Sequence, residues 1–241
     1  MRKVTSVPII LASSSPRRKE LLAGIGLQFT IDPSTIDESF EAGTAPEEVV
    51  EMLALKKAGS VAAKYDHGLV IGSDTIVVLD NAILGKPIDN EDAYSMLMRL
   101  QGKVHTVYSG LAIVDASTNQ SRVSTSNISV KIEQSHNNII YFGDTGQYRI
   151  VSDSRNDSPE IIVGHMFSKV TFRPMCEKEI WAYIQTGEPL DKAGSYGIQG
   201  IGAVFIEKIE GDFYNVMGIP LNLLYQFLNR FGVSPFEART N

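Results

Sequence analysis

The sequence predicts an α/β fold built on a mixed, twisted sheet with flanking helices. Apolar runs at Val7 to Ala12, Leu69 to Ile71 and Ile76 to Leu79 are nearly unbroken, the character of strands covered on both faces. Segments with apolar residues at helical spacing alternate with these runs, as strand–helix units require. A closing strand, Ala203 to Ile209, followed by a turn at Glu210-Gly211-Asp212, adds an antiparallel return and makes the sheet mixed.

The first strand runs straight into Ser13-Ser14-Ser15-Pro16-Arg17-Arg18. Ser15 suits an N-cap and Pro16 the first helical position, with Leu21, Leu22 and Ile25 inward and Gly24 or Gly26 ending the helix. Thr44-Ala45-Pro46-Glu47 reads as a capping box opening a second helix, with Val50, Leu53, Ala54, Ala58 and Val61 inside and an end near Tyr65. Two buried strand pieces then flank Gly72-Ser73-Asp74-Thr75, and Asp80-Asn81 supplies a turn. Asp89 caps a third helix whose Ala93, Met96, Leu97 and Leu100 face inward and which Gly102 stops. Val104 to Val114 returns as a strand broken near Gly110. From about Ser117 to Pro159 the chain is rich in Ser, Asn, Asp and Gln, and reads as a flexible excursion with strand pieces at Ile128 to Ile132 and Ile139 to Phe142. Regular patterning resumes at Val170 to Phe172, then a helix around Ile180, Tyr183 and Ile184, a glycine-rich stretch from Gly194 to Gly202, the closing strand, and a last helix from Pro220. Without an internal repeat, residues 1–241 read as a single domain with a polar insertion at about 118–159.

A chain of 241 residues is long enough to bury a substantial core. Its formal net charge of -6 argues against broad attraction to nucleic acid or an anionic membrane, so an anion site must be local and the partner small. The lone Cys176 rules out an internal disulfide and a Cys-rich zinc site, and His67, His105, His136 and His165 lack paired ligand spacing. The apolar run after Met1-Arg2-Lys3 is too short for a signal peptide and carries Pro8, and no stretch could span a bilayer; the expected location is the cytoplasm, with the nucleus left open.

Several residues stand out chemically. Arg17 and Arg18 place two cations at the positive end of a helix, each unfavourable by about 0.3–1 kcal/mol unless an anion sits among them. Free helix amides, three hydroxyls and two guanidiniums at one junction suit a phosphate; the alternative is a solvated pair beside acids such as Glu20. Asp74 interrupts an apolar strand region, where an ionised carboxylate needs a cation or donors, and it suits a cleft-facing general base or a divalent-metal ligand equally; a plain turn aspartate is the alternative. Lys57 falls on the apolar face of its helix, where it must snorkel or meet an anion, whereas Lys56 points away. Lys86 follows the Asp74 region by a short connection, on a path that can return over the same cleft; on its own it is an ordinary loop lysine. Asp37-Glu38 is an acidic pair able to hold Mg²⁺ through waters, or plain surface. Gly197 to Gly202 is similar to a phosphate-cradling loop, though with neither dinucleotide spacing nor a P-loop signature. Asp191 and Lys192 upstream either pair with each other or join the site.

Together, Leu11-Ala12-Ser13-Ser14-Ser15-Pro16-Arg17-Arg18, Gly72-Ser73-Asp74-Thr75, Gly85-Lys86-Pro87, the run from Gly187 to Gly200 and Val216-Met217-Gly218-Ile219-Pro220-Leu221 closely resemble the Maf family of nucleoside triphosphate pyrophosphatases. The resemblance implies a mixed α/β fold related to inosine triphosphate pyrophosphatases, with two lobes around a cleft. It implies cleavage of a nucleoside triphosphate to monophosphate and pyrophosphate with a divalent cation, Mg²⁺ or Mn²⁺, and commonly a homodimer. By motif position, Asp74 corresponds to the proton acceptor, and Arg17, Thr75 and Gln199 match the residue types of members selective for dTTP and UTP. Ser13, Ser15, Arg17 and Arg18 would bind the triphosphate, Lys57 and Lys86 would share in catalysis, and Glu38 with Asp74 would hold the metal. Gln199 offers one donor and one acceptor, matching a uracil or thymine imide edge. The insertion near 118–159 is longer than the hairpin the family pattern suggests and reads as a flexible loop, with a lid or a partner surface as the alternatives. Two other readings remain at this point: the same fold acting on 7-methyl-GTP or inosine-type purine nucleotides, and a nucleotide-binding regulator of cell division.

Overall fold

The structure, a computed structural model, describes residues 7–117, 139–142, 144–152 and 159–236. Among them, nine strands form a single sheet: β1 (Ile9–Leu11), β2 (Thr30–Ile31), β3 (Leu69–Leu79), β4 (Ala82–Leu84), β5 (Val104–Asp115), β6 (Ile139–Phe142), β7 (Gly146–Ser152), β8 (Pro159–Phe172) and β9 (Ile206–Glu210). The order is β2-β1-β3-β5-β8-β7-β6, with β4 added to β3 and β9 to β8. β1 lies parallel to β2 and β3, and the other pairings are antiparallel, so the sheet is mixed as expected.

The helices are α1 (Pro16–Gly24), α2 (Pro46–Ala62), α3 (Asn90–Leu100), α4 (Glu177–Ile184), α5 (Phe213–Met217) and α6 (Leu221–Arg230). α2 packs over β3 and β5, burying Ala54, Leu55, Ala58 and Val61 against Val70, Ala112 and Val163. The opposite face carries Leu11, Ile71, Leu111 and Ile113 under Leu22 of α1 and Leu224 and Phe227 of α6. Beyond them, Val77, Leu79, Val107 and Phe172 at the far ends of the long strands pack with Leu97 of α3 and Ile180 of α4.

β3 and β5 are continuous, where a break at Gly72 to Thr75 and another near Gly110 were expected. Their glycines are required by contact with α2 rather than by a bend. A Cβ on Gly72 would lie 2.2 Å from the Ala54 carbonyl oxygen, and one on Gly110 would lie 2.1 Å from that of Val50. The second helix also starts differently: Ala45 is its N-cap without a side-chain cap, and Thr44 Oγ1 donates to the Glu41 carbonyl at 2.9 Å, so the expected capping box is not formed. Asp89 does cap α3, accepting from the Asp92 amide at 2.8 Å.

Sheet structure reaches into the segment read as a flexible excursion. β6 forms where expected, β7 follows it, and β8 begins at Pro159 rather than near Val170. The proposed strand at Ile128 to Ile132 lies outside the described residues. At the other end, a 3₁₀ turn at Ile201–Phe205 delays the closing strand to Ile206. None of the helices of the described residues is long and apolar enough to cross a membrane.

Candidate active site

A gap in one edge of β3 positions the site. β1 pairs with Leu69 to Ile71 and β4 with Val77 to Leu79, so no described strand covers Gly72 to Ile76 on that edge. A cleft of about 460 Å³ opens there, and strand alternation sends Asp74 and Thr75 to opposite faces of the sheet at its floor. Five basic side chains against three acidic ones line it, in a chain whose net charge is -6. The basic character is therefore local.

On the α2 side, Asp74 Oδ1 meets Lys57 Nζ at 2.6 Å, and the same ammonium meets Glu38 Oε1 at 2.8 Å. The Lys57 and Asp74 side chains are only 10 % and 9 % exposed, so each carries a desolvated charge that the other must offset. The helical phase that put Lys57 on the apolar face of α2 is thus explained by an anion rather than by snorkelling. The second oxygen of Asp74 has no hydrogen-bond partner among the described residues. Burial raises the Glu38 carboxyl, but the hydrogen bond and charge of Lys57, with Lys86 and Arg18 behind it, outweigh this and hold it below its ordinary range. Its neighbour Asp37 turns away and binds Ser39, so only one member of the acidic pair joins the site.

On the other face, α1 begins as the sequence indicates, with Ser15 at the N-cap and Pro16 next. Ser15 makes no side-chain cap, so the amides of Arg17 and Arg18 lack both an intrahelical acceptor and a cap. Ser13 Oγ instead accepts from the Ser15 amide at 3.2 Å and from Arg18 at 3.3 Å. The two arginines then divide. Arg18 is tied into the protein, donating to Thr75 Oγ1 at 3.2 Å and the Gly218 carbonyl at 3.1 Å. Burial pulls its guanidinium below the ordinary range, opposed by Asp74 and reinforced by Arg17. Arg17 lines the cleft with no hydrogen bond or ion pair among the described residues.

Behind Thr75 runs a buried chain that sequence reasoning missed. Thr75 and Ser109 hydroxyls are 2.8 Å apart, Ser109 donates to the Asn215 carbonyl, and Ser73 donates to the Gly110 and Gly218 carbonyls. Ser73, Ser109 and Asn215 are fully buried. The available signal was serine inside otherwise apolar strands.

The far wall comes from the segment after α4. Asp191, Lys192, Tyr196, Gly197 and Ile198 line the cleft, and Lys86 reaches it from the loop after β4. The Gly194 amide donates to the Gly85 carbonyl at 3.0 Å, tying this wall to the Lys86 loop. Asp191 and Lys192 do pair, at 2.6 Å. Gln199 stands apart: it is half-buried and is not among the lining residues, whereas Gly197 and Ile198 are. The glycine-rich loop is not an open phosphate cradle either. Its Ile201 and Gly202 amides donate to the Glu188 carboxylate at 2.8 and 3.0 Å.

The structure thus brings Ser13, Ser15, Arg17, Arg18, Glu38, Lys57, Asp74, Thr75 and Lys86 to one cleft. Among the described residues no group of three or more His, Cys, Asp or Glu forms a ready metal cage. Glu38 and Asp74 do present two hard oxygen donors on one wall, a set that fits a divalent ion retaining waters and phosphate oxygens.

Comparison with known proteins agrees with this arrangement. The family described as "Maf-like protein" matches residues 8–149 and 145–231. The dTTP/UTP pyrophosphatase of Desulforamulus reducens is 40 % identical over 226 residues, covering 94 % of this chain and 97 % of the relative. That of Moorella thermoacetica is 43 % identical over 225 residues, covering 93 % and 95 %. A third, from Dictyoglomus turgidum, is 40 % identical over 227 residues, covering 94 % and 97 %. Matched along nearly its whole length, and with the motif residues gathered at one cleft, the chain belongs to the Maf family.

Proposed function

We propose that the protein is a nucleoside triphosphate pyrophosphatase acting on dTTP and UTP in the cytoplasm. The observation that carries this is that one cleft gathers unpaired Arg17, anchored Arg18, Lys57 and Lys86 together with the Asp74 carboxylate, which Lys57 meets directly. Names printed for relatives covered along nearly their full length support the same chemistry.

The triphosphate lies against the start of α1, where uncapped amides and Arg17 take phosphate oxygens. Arg18, fixed by Ser13, Thr75 and Gly218, contributes charge without having to be reoriented. Asp74 offers its free oxygen to a water and takes the proton as that water attacks the α-phosphorus; the bond to the bridging oxygen breaks and pyrophosphate leaves. Lys57 holds Asp74 in place through their ion pair, and Lys86 offsets charge on the departing group. Glu38 and Asp74 would hold a divalent cation, Mg²⁺ or Mn²⁺, whose charge would further offset that of the phosphates. The base extends toward Tyr196 and Ile198; Gln199, next along the loop though outside the lining, has the amide chemistry that matches the imide edge.

A nucleotide panel with pyrophosphate detection tests the reading. Turnover of dTTP and UTP well above 7-methyl-GTP and inosine triphosphate is expected; a reversed order sinks the pyrimidine assignment. Nucleotide binding with no turnover would favour the regulator instead.

A further inference from the structure

The glycine-rich wall is shaped around an internal carboxylate. Glu188, at the start of a 3₁₀ turn after α4, accepts from the Tyr183 hydroxyl and the Gly202 amide on Oε1, at 2.9 and 3.0 Å. Its Oε2 accepts from the Ile201 amide at 2.8 Å. Tyr183 in turn accepts from the Gly197 amide at 3.2 Å, so one phenol joins the first residue of the loop to the carboxylate that holds the last. Lys192 completes the grip, its ammonium on the Glu188 carbonyl and its stem beneath Gly197, where a Cβ would come within 3.0 Å of its Cε.

The glycines answer to the same pair. Gly200 has φ +91, and a Cβ there would sit 2.7 Å from Glu188 Oε2. A Cβ on Gly202 would sit 2.5 Å from the Tyr183 hydroxyl. A nest of main-chain amides, which elsewhere binds a phosphate, is here filled by the protein's own acid. Between the two anchored ends lie Ile198, which lines the cleft, and Gln199.

We propose that Glu188 and Tyr183 are positioning residues for nucleobase selection, fixing the 197–202 loop so that its inner face discriminates pyrimidine from purine without touching the phosphates. This rests on the proposed pyrophosphatase reading. Replacement of Glu188 by Gln is informative because two hydrogen bonds reach one oxygen and a third reaches the other. Whichever way the amide turns, its NH₂ meets a donor.

The test uses the full chain with Glu188→Gln and Tyr183→Phe, measuring kcat and KM for UTP, dTTP, GTP and ATP. Amide exchange at Ile201 and Gly202 is followed in the same samples. The expected result is faster exchange at both amides and a fall of about tenfold in the pyrimidine-to-purine ratio of kcat/KM, carried by KM, as the loss of one or two hydrogen bonds implies. Turnover at saturating UTP should stay within about threefold, because the phosphate machinery is separate. An unchanged base ratio despite faster exchange overturns the proposal, as does an equal loss of kcat on all four nucleotides. A wild-type protein that releases pyrophosphate from none of them overturns the underlying reading instead. Should Glu188→Gln fail to fold, Tyr183→Phe carries the test alone.

Discussion

Two carboxylates serve this cleft, Asp74 from its floor and Glu188 from behind its glycine-rich wall, and they are held by opposite means. At the middle of β3, Asp74 is matched by a side-chain ammonium that it shares with Glu38. At the glycine-rich turn, Glu188 is matched by two main-chain amides and a phenol. Side-chain cations can exchange partners when a phosphate chain arrives, whereas main-chain donors cannot move without moving the loop. The proposed reacting end is therefore held by contacts a ligand can exchange, and the glycine-rich wall by contacts that fix its shape.

The largest expected effect breaks the first end. Asp74→Asn removes the proposed proton acceptor, and kcat should fall by about 10²–10⁴. Its fold should survive, since Glu38 still faces Lys57. A loss below tenfold would show that another group takes the proton. Lys57→Met sharpens the point, because it leaves Asp74 buried beside an apolar group; unfolding free energy should drop by about 3–5 kcal/mol. Equal stability of the two variants would remove the case for a coupled pair.

A second pair of substitutions contrasts the walls through their glycines. Gly72→Ala drives a Cβ to within 2.2 Å of the Ala54 carbonyl oxygen in rigid helix backbone, and should cost about 3 kcal/mol or more in chemical denaturation. Gly200→Ala meets the end of the Glu188 side chain at a positive φ and should cost about 1–3 kcal/mol. The reverse ranking would place the rigid contact on the wrong wall.

The third prediction concerns acid. His105 lies beneath the turn, its Nε2 2.8 Å from the Tyr196 hydroxyl, and burial pulls its pKa down to about 4. With an unfolded value near 6.5, the unfolded chain binds more protons between about pH 6.5 and 4, so stability should decline as pH falls through that window. The full loss below it is about 3 kcal/mol, and none is expected above about pH 7. His105→Phe should flatten that slope in urea titrations; a slope that persists assigns it elsewhere.

Most of the reacting end was legible because its anomalies are local. Asp74 is out of place in an apolar strand, Lys57 is on the wrong face of its helix, and two arginines sit at the wrong end of another. Each signals a missing counter-charge by itself. The opposite wall was read less well, since Gly197 to Gly202 looks the same whether its amides await a phosphate or already hold Glu188. Strands β7 and β8 were hidden for a related reason. His165 and Arg149 make that region look polar, yet both meet buried Glu51 on α2, a partner some hundred residues away in sequence. The glycines of β3 and β5 looked like breaks because the helix that needs them comes from another segment.

The central claim is that this cleft directs water to the α-phosphorus. Turnover of UTP in water enriched in heavy oxygen tests it most directly, with mass analysis of both products. The expected result is label in the monophosphate and none in pyrophosphate. Label in pyrophosphate, or release of orthophosphate in its place, would contradict it.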